Sequence, residues 1–259
     1  MLLKKLSPVC FNSYLKQKFR FSDFKSFNLM DQYAIEKYRK YLRIPTITLK
    51  EPDYLGVESF LRNYFGEIGL QFRKVDQEFD LGGTRPIFIG FLRGRDPSLP
   101  AFLLNSHFDV VPVERELWKY DPFGAELTPD GRIYARGSQD MKCVTIQYIQ
   151  AISRILSSNS SENQSSPFLR TLYVCATPDE EIGGYTFRRF VASPAFKELN
   201  IGFALDEGIA SPNDSYRVFI NERISSASLF TYVYQFLLIN FLNLFCFSSA
   251  SLFTYVYRL

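Results

Sequence analysis

The sequence predicts an α/β fold, a layered sheet with helices on both faces. Two observations lead to it. Short apolar runs alternate with segments whose apolar residues recur at helical spacing. Acidic and polar residues follow several of the strand-like runs directly, and open α/β sheets bind ligands outside the carboxyl ends of their strands. At 259 residues the chain is long enough to bury a substantial core.

The elements follow in order. Asp31 is a good helix N-cap and opens the globular pattern. From Val57, apolar residues recur at Phe60, Leu61, Tyr64, Phe65 and Ile68, a helical stripe closed by Gly69. Strand-like runs cover Gln71–Val75, Pro86–Leu92 and Ala101–Leu104. A second amphipathic helix opens at Asp140 and runs through Val144, Tyr148, Ile152 and Ile155. Ser157 to Ser166 is Ser/Asn-rich and reads as an exposed loop. The strand Leu169–Ala176, a shorter helix Tyr185–Val191, and strands Ile201–Leu205 and Tyr216–Ile220 complete the pattern.

Composition narrows the function classes. A formal net charge of +3, with acids and bases interspersed, implies no nucleic-acid partner. Cys10, Cys143, Cys175 and Cys246 form no CxxC pair, so they read as reduced thiols of a cytoplasmic protein.

Both ends depart from the globular pattern of 31–223. Residues 1–30 carry Lys4, Lys5, Lys16, Lys18, Arg20 and Lys25 against Asp23 alone, and read as a disordered or targeting extension. Residues 224–259 hold no charge from Ile224 through Tyr257, and Ser225–Tyr234 recurs identically as Ser248–Tyr257. Diverged solenoid repeats do not look like this. The apolar stretch Leu229–Phe247 approaches the ~20 residues that span a bilayer, yet Thr231, Gln235, Asn240 and Asn243 interrupt it. Three readings stay open: an anomalous C-terminus, a membrane anchor giving membrane association through this tail, or β-rich structure packed on the domain.

The chemistry concentrates in four places. His107, the single histidine, stands in Asn105-Ser106-His107-Phe108-Asp109 at the end of a strand-like run. Asp140 stands at a helix start, Glu180 and Glu181 follow a strand and a turn, and Asp206 and Glu207 follow another strand. One imidazole and several carboxylates are the donor types that zinc accepts. Of two adjacent acids on a turn, one can bind metal while the other stays free as a general base. Asp109 can accept the second imidazole N–H and orient the ring. Each residue also has an ordinary reading: a hydrogen-bonded loop histidine, a solvated Glu-Glu pair, a helix-capping aspartate.

Longer motifs surround these residues. Leu103-Leu104-Asn105-Ser106-His107-Phe108-Asp109-Val110-Val111-Pro112 is joined by Trp118–Phe123, Ile133–Lys142, Pro178–Gly184 and Gly202–Ala210. Together they resemble the co-catalytic zinc aminoacylase/carboxypeptidase family, and its aminoacylase branch in particular, from about Asp31 to Arg223. The resemblance implies a zinc-peptidase-like catalytic domain. It implies that His107 and Glu207 bind a first zinc, Asp140 bridges two, and Glu181 binds the second. Asp109 would orient His107, and Glu180 would move the proton. The implied reaction is hydrolysis of an N-acyl-L-amino acid, aliphatic ones and methionine included, to a carboxylate and a free amino acid. A dipeptidase or carboxypeptidase of the same family is the alternative.

The resemblance stops at Asn221-Glu222-Arg223, so the catalytic domain is expected to be incomplete. The family's homodimerisation domain and its further histidines have no counterpart, because His107 is alone. The expectation is therefore one zinc, at His107, Asp140 and Glu207, and a chain that is weakly active alone. A non-catalytic truncated isoform acting by association is the other class.

Overall fold

The computed structural model describes residues 29–50, 52–79, 82–158, 166–207, 218–220 and 254–258. The chain divides into two units, Met1–Ile35 and Glu36–Leu259. Of the first, the described part is the opening of helix α1 (Leu29–Leu42). Asp31 therefore lies inside the first helical turn, where its charge meets the positive end of the helix dipole, and not at the N-cap.

Helix α2 (Tyr54–Glu67) begins three residues before the apolar stripe because Asp53 caps it, accepting the Gly56 N–H at 2.8 Å. Its buried face is Val57, Leu61, Tyr64 and Phe65. Strands β1 (Gln71–Glu78), β2 (Thr84–Leu92) and β3 (Ala101–His107) follow. A short hairpin, β4 (Glu126–Leu127) with β5 (Ile133–Tyr134), precedes helix α3 (Lys142–Ser158). Then come β6 (Leu172–Thr177), α4 (Tyr185–Ala192), α5 (Pro194–Lys197), β7 (Ile201–Asp206), β8 (Val218–Ile220) and β9 (Thr254–Arg258). Helix α3 starts two residues after Asp140, and β6 starts at Leu172 where Leu169 was expected.

The described strands form a sheet in the order β1-β2-β6-β3-β7-β9-β8, beside the two-stranded hairpin. β1 and β2 are antiparallel, as are β2 and β6. β3 lies between β6 and β7 and runs parallel to both, with His107 opposite Thr177 and Leu104 opposite Leu205. The carboxyl ends of β3, β6 and β7 therefore open on one side of the sheet.

Alternation along these strands sends side chains to two cores. Phe88, Leu104, Val174 and Leu205 pack with Leu61 and Phe65 of α2 and Val144, Ile149 and Ile152 of α3. Their strand neighbours Ile87, Ile89, Leu103, Cys175 and Ala204 pack with Phe190 of α4 and Phe196 of α5 on the opposite face. The helices thus cover both faces. Gly90 is required where α2 meets β2, because a Cβ there would lie 2.7 Å from the Phe65 ring.

Cys143 and Cys175 are free thiols, Cys175 fully buried. Cys10, Cys246, the extension 1–28 and the first copy of the ten-residue repeat lie outside the described residues, as does most of the Ser/Asn-rich loop. Of the second copy, Thr254 to Tyr257 belong to β9, which pairs antiparallel with β7. No helix among the described residues is long and apolar enough to cross a membrane.

Candidate metal centre

His107 ends β3 and is 1% exposed. Its Nδ1 lies 3.0 Å from the backbone oxygen of Asp109 and 3.3 Å from Asp109 Oδ1. Both neighbours are acceptors, so Nδ1 carries a proton and Nε2 is left to face the site. Nε2 lies 2.9 Å from Asp140 Oδ1, 3.4 Å from Glu207 Oε2 and 3.8 Å from Glu180 Oε2. One nitrogen thus meets three carboxylates from three separate segments.

Asp109 does more than face the ring. It is fully buried, and its Oδ1 accepts the backbone N–H of Glu180 at 3.0 Å. Its Oδ2 accepts the N–H of Glu181 at 3.1 Å and the hydroxyl of Thr48 at 2.8 Å. The carboxylate therefore fixes the 3₁₀ turn Glu180–Ile182 that follows β6. From the other side, Asp179 Oδ2 accepts both the N–H and the hydroxyl of Thr186 in α4, at 3.0 and 2.8 Å.

Asp140 reaches the site from a tight approach. Gly137 has φ +83°, and a Cβ there would lie 2.8 Å from Val110 Cγ1. Two residues past Asp140, the fully buried Lys142 donates from Nζ to the Tyr41 and Ile44 carbonyls at 3.3 and 2.8 Å. Asp140 is thereby held between a glycine turn and a lysine anchor. Glu207 follows β7, where Asp206 accepts the Glu207 N–H at 2.8 Å and Asn105 Nδ2 at 3.0 Å.

The electrostatics follow from this crowding. Burial by itself lowers the His107 pKa, but hydrogen bonds to Asp109, Asp140 and Glu207 raise it well above its ordinary value. The bond to His107 lowers Asp140. Partial burial raises Glu180, with the His107 charge opposing and neighbouring carboxylates adding. Glu181 rises to about 7, from burial first and then the Asp140 charge. A neutral Nε2 lone pair aimed at carboxylates is repulsive, so the arrangement needs a cation on that line: a proton or a metal ion.

The donor set fits a metal. Among the described residues, the ligand atoms of His107, Asp140 and Glu207 all lie within 4.8 Å of one another. Imidazole nitrogen with carboxylate oxygen is a donor set that zinc accepts. The expected residues His107, Asp109, Asp140, Glu180 and Glu207 are brought together. Glu181 is anchored through its backbone, and its carboxyl is not part of the compact group.

Sequence reasoning passed over Thr48, Lys142, Asp179 and Asn105 as supports of the site. Thr48 lies in no motif, and its only signal is a polar residue between apolar ones. Asp179 and Lys142 stand inside the quoted motifs, but nothing local distinguishes an anchor from a solvated charge.

Comparison with known proteins adds to the geometry. Residues 103–222 match peptidase family M20/M25/M40. Aminoacylase-1 of Mus musculus is 43% identical over 197 residues, which are 73% of this chain and 44% of that protein. Aminoacylase-1 of Homo sapiens is 42% identical over 191 residues, with the same shares. The chain thus spans less than half the length of these curated relatives. In fold, it is similar to a dipeptidase from Saccharomyces cerevisiae, with a TM-score of 0.59 at 20% identity over 73% of this chain and 42% of that one.

Proposed function

The chain belongs to peptidase family M20/M25/M40, and on that premise we propose that it is a zinc-dependent amide hydrolase acting on N-acyl-L-amino acids. The product is a free L-amino acid and a carboxylate, and aliphatic residues and methionine are the proposed amino-acid part. The observation that carries this reading is the meeting of His107 Nε2 with Asp140, Glu207 and Glu180 within 3.8 Å. We propose a cytoplasmic location, the compartment that suits the free thiols Cys143 and Cys175 among the described residues.

His107, Asp140 and Glu207 would hold one zinc ion. Asp140 with Glu181 would take a second, for which this chain's single histidine leaves no nitrogen ligand. Zinc supplies Lewis acidity, enough to bring the pKa of water from 15.7 to about 7 and to polarise an amide carbonyl. Asp109 keeps the imidazole in the Nδ1–H tautomer, so that Nε2 presents its lone pair. Glu180, half-exposed beside Nε2 and less acidic than a free glutamate, would take a proton from the attacking water. The water oxygen bonds to the carbonyl carbon. Glu180 then returns the proton to the amide nitrogen as the C–N bond breaks.

The single histidine favours a second reading: a chain that binds metal without turnover. The deciding experiment is hydrolysis of N-acetyl-L-methionine by the purified chain with and without zinc, with Glu180→Gln as control. Slow zinc-dependent release of methionine that falls by about 10²-fold or more in the control supports the hydrolase. A folded, zinc-loaded chain that releases none leaves the binding reading.

A further inference from the structure

We propose that Thr48 is a positioning residue for the metal centre: its hydroxyl fixes the plane of the Asp109 carboxylate, and through it His107 and the Glu180–Glu181 turn. The inference rests on the metal reading above and names a residue that lies outside every motif surrounding the site.

The segment after α1 carries Thr46 and Thr48. Thr46 donates its hydroxyl to the Phe108 carbonyl at 2.5 Å, and its own carbonyl accepts the Val110 N–H at 3.0 Å. Thr48 N–H donates to the Val110 carbonyl at 2.9 Å, and Ile47 bridges Val110 in parallel. Residues 46–48 are therefore held beside 108–110 through an isolated bridge, and Thr48 is 5% exposed. Its backbone N–H is held by the Val110 carbonyl, which brings its side chain beside Asp109.

The Thr48 hydroxyl donates to Asp109 Oδ2 at 2.8 Å. A carboxylate has about four lone-pair sites. At Asp109 four donors face them: Thr48 Oγ1, the Glu181 N–H, the Glu180 N–H and His107 Nδ1. The two backbone donors come from one turn and the ring from β3. The Thr48 hydroxyl is the one side-chain donor among the four from outside the proposed metal-binding segments. Without it Oδ2 keeps only the Glu181 contact, and the carboxylate can rotate about its Cβ–Cγ bond. Rotation moves Oδ1 away from both the imidazole and the Glu180 N–H together. Partners of this kind around metal-binding histidines typically set affinity by 10–100-fold.

The test uses the full chain, stripped of metal and titrated with Co²⁺ while its visible absorption is followed. Thr48→Val removes the hydroxyl at nearly constant volume, Thr48→Ala removes it with a smaller side chain, and Thr48→Ser restores it. Circular dichroism checks that each is folded. The expectation is Co²⁺ binding weakened about tenfold or more in Thr48→Val and Thr48→Ala with an altered spectrum, and binding within about twofold of the parent in Thr48→Ser. Equal affinity in the parent and in the folded hydroxyl-free variants overturns the role of Thr48 alone. Equal weakening in Thr48→Ser overturns it too, because the loss would then be one of packing. A parent that binds no Co²⁺ overturns the metal reading, and the proposal with it.

Discussion

Asp109 Oδ1 accepts the backbone N–H of Glu180 at 3.0 Å. The residue two places after the imidazole thus also holds the acidic turn seventy positions later in the chain. Orientation of His107 and placement of Glu180 and Glu181 are one structural event, because a single buried carboxylate serves both. The consequences can be measured.

Zinc should stabilise the chain more as pH rises from about 5 to 7.5. In the metal-free protein Glu181 is raised to about 7 and His107 lies well above its ordinary value. Both groups bind more protons folded than unfolded. Their contribution to metal-free stability is therefore full at low pH and declines as pH rises, through about 4.5 to 7 for Glu181 and above 6.5 for His107. A metal ion must displace those protons, at up to tenfold in affinity per pH unit per proton. Melting temperatures with and without zinc at pH 5.5 and 7.5 check this. A zinc-induced shift that is larger at pH 5.5 contradicts it.

Lys142 should make the protein more stable at alkaline pH. Burial lowers its pKa from 10.5 to about 7, with Asp109 and Asp53 partly offsetting. Between those values the unfolded chain holds a proton that the folded chain lacks, so stability rises with pH across that window, by on the order of 5 kcal/mol. Below pH 7 the burial penalty is present in full. Lys142→Met removes this rise. Urea denaturation at pH 7 and pH 9.5 should bring parent and variant closer to, or past, one another in the parent's favour at the higher pH.

Gly137→Ala should destabilise the fold and weaken metal binding together. The position has φ +83°, and the added Cβ would meet Val110 Cγ1 at 2.8 Å. Left-handed backbone and overpacking each cost about 1–3 kcal/mol. Because Asp140 follows three residues on, the displaced turn also moves a proposed ligand. A variant with unchanged melting temperature and Co²⁺ affinity would sink this account.

Phe190→Ala should cost about 3–5 kcal/mol of stability. Phe190 is fully buried, with its ring edge-on to Phe196 at 5.3 Å, and it sits on the sheet face away from α3. A chemical-denaturation midpoint close to the parent's would mean that α4 does not close this second core.

Much of the fold was legible because burial leaves a period in the sequence. The stripe from Val57 to Phe65 and the runs at Pro86–Leu92 and Ala101–Leu104 fell inside α2, β2 and β3, with Ile68 as the C-cap of α2. The ends were less legible. Asp53 extended α2 backwards by capping it, and α3 waited until Lys142 although an aspartate stood at 140. A cap is a hydrogen bond to a particular backbone group, and composition shows only that a residue is able to make one.

The sequence by itself determined the α/β class, the alternation that feeds two cores, and which motifs carry imidazole and carboxylate. These are local properties, encoded by side-chain period and residue type. Only the tertiary structure decided that β6 enters between β2 and β3, that Asp109 joins His107 to the 180–181 turn, and that Thr48 and Lys142 tie the chain after α1 to the site. Each of those is a contact between residues roughly 60 to 100 positions apart. Such contacts depend on strand order and on which polar groups are buried together, and no local pattern records either.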